Sequence, residues 1–145
     1  MRFDVVVNMF VMHAFRDKMI TVLGGDQVRP NIHIRDMSRV YEHFLSNPSL
    51  PSGCYNAGFE NISVMSIAEM VAKKFGVDIE VKPSNDPRSY RQDSSKLIAT
   101  GYKQTKTVSD AIDEISEKLS AGEIKDDDRW YTVKWMTANQ IGDAK

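Results

Sequence analysis

The sequence carries one cysteine, Cys54, in 145 residues. A single thiol cannot form a disulfide within the chain, and it excludes the cysteine-rich zinc sites that staple small folds. An excess of one charge is lacking too: 19 Lys and Arg stand against 20 Asp and Glu, a formal net charge of −1. No global basic field is there to attract nucleic acid or an acidic membrane surface. Nothing approaches the roughly 18 consecutive apolar residues of a membrane span. The opening Met1-Arg2-Phe3-Asp4-Val5-Val6-Val7 places Asp4 where a signal peptide is basic, and no clear cleavage site follows. These absences predict a reduced, cytoplasmic protein with neither nucleic acid nor membrane as a partner.

Chemical signatures are also sparse. There is no G-x-G-x-x-G and no G-x-x-x-x-G-K-[ST], so the dinucleotide fingerprint and the P-loop are missing. Gly24-Gly25 reads as a turn. His13, His33 and His43 are scattered over different elements, and no Cys/His/Asp cluster has metal-ligand spacing. The expectation is a chain with no metal site. Tyr102-Lys103-Gln104-Thr105-Lys106 matches Y-x-x-x-K, a spacing that on a helix lets lysine assist tyrosine in proton transfer. Here it lies between Gly101 and the start of a helix, so it reads as a connector and no catalytic residue is assigned.

What is present suits a single globular unit. The apolar share is 41% and the charged share 27%. A compact chain of this size buries roughly 68–70% of its unfolded surface. Periodicity predicts about four helices interleaved with five or six short strands, an α/β or α+β unit. Segment 3–18 is helical, with Val7, Phe10, Val11, Ala14 and Phe15 in phase and apolar character almost all round. Ile20–Leu23 and Asn31–Ile34 read as extended. Asp36 is placed to cap a helix striped by Met37, Val40, Tyr41, Phe44 and Leu45. Gly53–Gly58 reads as a strand and Asn61–Val64 as a brief extended stretch. Ser66 and Glu69 suggest a capping box for a helix that Gly76 stops. Ile79–Lys82 alternates like a strand, and 83–93 is a polar loop. Ser94 or Ser95 starts a short helix. Thr107 and Asp110 begin the last strong one, carrying Val108, Ala111, Ile112, Ile115 and Leu119 inward. Arg129–Trp135 reads as an extended arm, and 137–145 as a frayed tail after a domain spanning 1–136.

The informative polar residues are Asn8, Arg29, Arg88 and Arg91, all at element ends or in loops. Arginine presents a planar fork of donors that matches phosphate oxygens. Arg29 precedes Pro30, which stiffens the chain, and Tyr90 lies between the other two arginines. Surface arginines are common, so spacing alone leaves both an anion site and a plain solvated loop open.

Four ordered segments resemble the extended short-chain dehydrogenase/reductases, the nucleotide-sugar epimerases and dehydratases. They are Arg2–Phe10 with Asn8; Ile20–Gly25 followed by Arg29-Pro30-Asn31-Ile32-His33-Ile34-Arg35-Asp36; Tyr55-Asn56-Ala57-Gly58; and Asp86–Lys96 with Gly101-Tyr102. The likeness runs over roughly residues 2–120 and covers the family's later, substrate-recognising half. The family's amino-terminal Rossmann half and its catalytic Tyr-x-x-x-Lys have no counterpart here, since Tyr102 and Lys106 fall after the arginine loop. The resemblance implies that Asn8 contacts a nucleoside diphosphate sugar, that Arg29 and Arg88 pair with its phosphates, and that Arg91 is a further contact or loop support. It implies structural roles for His33 and Asp36, and a late-strand end at Tyr55 and Asn56, with Asn56 within a ligand's reach. The family uses NAD, and this chain alone is expected to bind none. Apolar faces that the family packs on its Rossmann half need other cover: a homodimer, or a separate chain supplying that half. The alternative is a non-catalytic, oligomerising remnant.

Overall fold

The computed structural model describes residues 2–142. In chain order these form α1 (Val6–Asp17), β1 (Met19–Leu23), β2 (Val28–Asn31), α2 (Ile34–Ser46), β3 (Glu60–Ser63), α3 (Val64–Phe75), β4 (Asp78–Lys82), α4 (Ser95–Ile98), α5 (Val108–Ser120) and α6 (Thr132–Ala138), with a 3-10 turn at Asp128–Trp130. The mixed α/β class read from the sequence is the one observed.

The strands make two separate pairs. β1 and β4 are parallel, from Met19↔Asp78 to Leu23↔Lys82. β2 and β3 are antiparallel, from Val28↔Ser63 to Asn31↔Glu60. The parallel pair lies against the main core. There α1 contributes Phe10, Val11, Met12 and Ala14, β1 Ile20 and Val22, α3 Ile67 and Val71, and α5 Ile112 and Leu119. Burying one such side chain fully is worth about 1.5–3 kcal/mol against leaving it exposed. A second, smaller cluster of Val40, Leu97 and Tyr102 gathers Phe44, Tyr55 and Phe59. The antiparallel pair and the loop 83–93 lie beside it.

Several boundaries depart from expectation. β2 sits at Val28–Asn31 and ends where 31–34 was expected to be extended, because Ile34 already opens α2. Gly53–Gly58 is not a strand; the paired segment is Glu60–Ser63. The cap of α3 is Ser63, whose Oγ accepts from Ser66 N at 3.0 Å, so the box at Ser66 and Glu69 does not form. The arm at 129–135 is the 3-10 turn running into α6. It docks on the opposite chain end: Phe3 N donates to Trp130 O at 2.8 Å, Thr132 N to Asp4, and Arg16 pairs with Asp126 at 2.6 Å. In the expected tail, Thr137 and Ala138 belong to α6, and 143–145 lie outside the described residues.

Three expectations hold in detail. Gly76 ends α3 in the left-handed conformation, φ 63°. Thr107 and Asp110 form the reciprocal capping box of α5. Segment 83–93 contains neither helix nor strand.

Candidate functional site

Arg29 lies on β2, and Arg88 lies in the loop after β4. They are 59 residues apart in sequence, yet both guanidiniums reach one carboxylate, Asp86. Arg88 forks onto it, with Nε to Oδ1 at 2.7 Å and Nη2 to Oδ2 at 2.8 Å. Arg29 Nη2 reaches Oδ2 at 3.3 Å, and its Nη1 donates to Arg88 O. The Tyr90 ring lies 4.9 Å from the Arg29 guanidinium, within cation–π range. Hydrogen bonds from the Arg88 side chain and backbone N–H hold the Asp86 carboxyl down at about 2. The Arg88 side chain is 76% exposed and that of Arg29 18%. One arginine is therefore presented to solvent and the other is half embedded.

The loop carrying Arg88 is pinned rather than free. Tyr90 N donates to Val28 O at 3.2 Å and Val28 N to Ser89 Oγ at 3.0 Å, along the edge of β2. Asn61 of β3 clasps Gln92, accepting its N–H at 2.8 Å and donating to its carbonyl at 3.1 Å. Asn56 Nδ2 donates to Asp93 O, and Ser94 Oγ bridges the N–H and carbonyl of Gly58. This is how loop residues acquire fixed positions on a scaffold.

Arg91 belongs to the same loop and is exposed. Asn8 stands on α1, its Nδ2 donating to Arg2 O at 2.7 Å. It lines a cleft of about 660 Å³ together with Arg2, Asn31, His33, Thr107 and Glu114. A second cleft of about 850 Å³ lies between α2 and the 47–57 segment, lined in part by Phe44, Tyr55 and Gln92. Asn31 borders both clefts. The fold thus brings Arg29 and Arg88 together, keeps Arg91 in the same loop, and sets Asn8 on the wall of the 660 Å³ cleft.

The other polar residues build structure. His33 is the N-cap of α2, its Nδ1 accepting from Arg35 N at 3.2 Å. That displaces Asp36 from the expected capping role. Asp36 is fully buried in the first turn of α2 and faces the 102–106 connector. Its carboxylate accepts from Thr105 N at 3.0 Å, Thr105 Oγ1 at 2.8 Å, Lys106 N at 2.8 Å and Arg39 Nη1 at 2.7 Å. Burial alone would raise its pKa; these donors outweigh burial and hold it below the usual carboxylate range. Tyr102 OH donates to Asp36 O at 2.8 Å, while Lys106 Nζ lies 3.5 Å from Asp110, so this pair shares no reaction face. Asn56 is engaged by Asp93, tying the arginine loop down.

Sequence reasoning missed Asp86 as the residue on which the arginines converge. The signal was Asp86-Pro87-Arg88, an aspartate before a stiff residue, which favours a side-chain-closed turn. Arg88 N donating to Asp86 Oδ1 at 3.0 Å is that turn.

The Gly24-Gly25 turn is filled from within: a Cβ on Gly24 would meet the Gln27 side chain at 2.5 Å, and one on Gly25 would meet Met65 at 2.9 Å. Gly25 N donates to Gln27 Oε1 at 2.7 Å. That N–H and that space are taken up by side chains of the chain itself. Among the described residues, no group of three or more His, Cys, Asp or Glu is placed to hold a metal, and no helix is long and apolar enough to cross a membrane.

No protein-family model matches the sequence. Solved structures do match the fold. The UDP-N-acetylglucosamine 4-epimerase of Bacillus cereus superposes with a TM-score of 0.70 at 21% identity, over 81% of this chain and 43% of that one. The dTDP-glucose 4,6-dehydratase of Bacillus anthracis, solved with NAD, gives 0.71 at 19% over 92% and 43%. The UDP-glucose 4-epimerase of Thermotoga maritima, solved with UDP-glucose, gives 0.68 at 17% over 83% and 40%. The chain therefore shares its fold with part of each of these structures, in keeping with the resemblance of the four sequence segments. It spans less than half the length of the structures it matches.

Proposed function

We propose that this chain is the nucleoside-diphosphate-sugar-binding part of an NAD-dependent epimerase or dehydratase, not catalytically complete by itself. One observation carries the reading: two arginines distant in sequence converge on a single anionic group, the Asp86 carboxylate, on a loop pinned to β2 and β3. Converging planar forks are what a diphosphate requires. Arg29 and Arg88 contact the phosphates, Arg91 adds a further contact or supports the loop, and Asn8 hydrogen-bonds the ligand from α1. NAD and the proton-transfer residues come from another polypeptide segment carrying the nucleotide-binding half. The parallel pair β1–β4 supports this, since two parallel strands alone leave backbone edges and the side chains of Met19, Leu23 and Val81 uncovered. The setting is the cytoplasm, where the exposed thiol of Cys54 stays reduced.

Calorimetric titration with UDP-glucose, UDP-N-acetylglucosamine and dTDP-glucose tests the reading. Weak binding of at least one, lost in Arg88→Ala, is expected; absence of heat from all three with folded protein refutes it. A second reading, a ligand-free oligomerising module, draws on the exposed apolar residues of α2: Ile34, Tyr41 and Leu45 are 71%, 68% and 84% exposed. Sedimentation distinguishes the two. A strict monomer at all concentrations rules out the module.

A further inference from the structure

Asp86 does more than mark the arginine site, because it occupies it. Its two oxygens take the Arg88 fork and one of them also meets Arg29, so the donors offered to a phosphate are already engaged by a carboxylate of the same loop. The aspartate is held through both its carboxylate and its backbone. Arg88 N donates to Oδ1 at 3.0 Å, and Asp86 N donates to Ser84 Oγ at 3.1 Å. A side chain tethered two residues from its partner competes at a high effective concentration.

We propose that Asp86 is a built-in counter-ion that sets the affinity and the selectivity of the arginine site, admitting ligands with two linked phosphates and turning away single ones. This rests on the phosphate reading above. An anion displaces the tethered carboxylate from Arg88 more readily the more of the arginines it engages at once. Arg29, Arg88 and Arg91 supply positive charge from the strand and the loop, and Asp86 cancels part of it. A single phosphate gains little by the exchange. A pyrophosphate has a second group left for Arg29 or Arg91 once it has taken the fork. Asp86 stays ionised far below neutral pH, so mild acid does not lift the block.

The test is calorimetry on the full 145-residue chain at fixed ionic strength, with pyrophosphate and inorganic phosphate as probes. Asp86→Asn keeps an oxygen for the Arg88 N–H but removes the charge. It is expected to tighten pyrophosphate binding by up to about fivefold, the range of a solvent-exposed ion pair. Inorganic phosphate should gain by a larger factor, so the preference for pyrophosphate narrows. Adding Arg88→Ala should erase the gain. Should Asp86→Asn fail to fold, Asp86→Ser carries the same expectations. Wild-type binding that the charge-neutral variant leaves unchanged or weakens overturns the counter-ion role, because Asp86 would then be a positioning residue for Arg88; the phosphate reading would stand. No binding of either anion by either protein overturns both.

Discussion

The substitution Asp36→Ala examines how the two halves of this fold are joined. Asp36 sits in the first turn of α2, and its carboxylate binds the 102–106 connector that leads into α5. Removing it strands two main-chain donors, Thr105 N and Lys106 N, besides the Thr105 hydroxyl and Arg39. An orphaned buried donor costs about 1–3 kcal/mol. Arg39 and the hydroxyl are exposed enough to find water. Two such donors bring the loss to about 2–6 kcal/mol, a large part of the 5–15 kcal/mol typical of a domain. Asp36→Asn keeps one acceptor but turns an NH2 toward some of the same donors, and should lose at least half as much. Urea unfolding followed by circular dichroism reads both. The pH dependence adds a signature. The folded carboxyl lies below its ordinary value of 3.8, so its contribution is complete above that pH and is lost as pH falls through the lower folded value. The gap between wild type and Asp36→Asn should hold from pH 7 to about 5 and shrink below about 4. A loss under about 1 kcal/mol in Asp36→Ala, with an unchanged denaturant slope, would refute the bridging role.

Other outcomes follow from single contacts. Ile67→Ala, at a fully buried position of α3 in the main core, should cost about 2–5 kcal/mol in the same unfolding assay. Gly76→Ala should cost about 1 kcal/mol from backbone strain alone, since φ is +63° and an added Cβ would meet nothing within 4 Å; thermal melting reads it. Thr107→Ala should cost about 1 kcal/mol by breaking the α5 capping box. Tyr41→Ser with Leu45→Ser should leave stability within about 0.5 kcal/mol, because both side chains face solvent. Loss of a concentration-dependent dimer in that variant, seen by sedimentation, would place self-association on α2.

Features governed by local chemistry were legible in the sequence. The caps at Gly76 and Thr107 and the core stripe of α5 depend on residues within one or two turns, and they stand as read. The stripe of α2 is different. Its spacing is helical and α2 is a helix, yet Tyr41 and Leu45 are exposed while Val40 is buried. Periodicity reports which residues share a face; what covers that face depends on elements elsewhere. Asp36 shows the same limit. As an aspartate near a helix start it reads as a cap, but its partners lie 69 and 70 residues away and His33 takes the capping role. Strand pairing was least legible. Gly53–Gly58 has the composition of a strand, but the edge of β2 goes to Glu60–Ser63, where four residues align in register. In the candidate site, the arginines were visible as residues and through the family resemblance. Their convergence on Asp86 was not, because Arg29 reaches it across 57 residues.

Under the proposed function, recognition and chemistry reside in separate pieces of the fold, and the contacts that hold the arginine loop suit that division. The loop holding Arg88 takes its shape from β2, β3 and Gly58, through Val28, Asn61 and Ser94. None of those contacts involves the parallel pair β1–β4, where strand edges stand open. The main core joins that pair to α1, α3 and α5, and the smaller cluster supports the segment from Tyr55 to Tyr102. The geometry of the arginine loop is set by the antiparallel pair and needs no further sheet for its rigidity. Hydride transfer does need a bound nicotinamide placed against an acid or base. The division predicts an asymmetry between the two activities. Adding a chain that completes the parallel sheet should leave anion affinity at the arginine loop within about threefold, because no contact fixing that loop changes. Turnover, by contrast, should appear only in the mixture. Anion affinity that rises by orders of magnitude on mixing would show instead that the loop is shaped by the added sheet, and that the pins to Val28 and Asn61 are not what hold Arg88 in place.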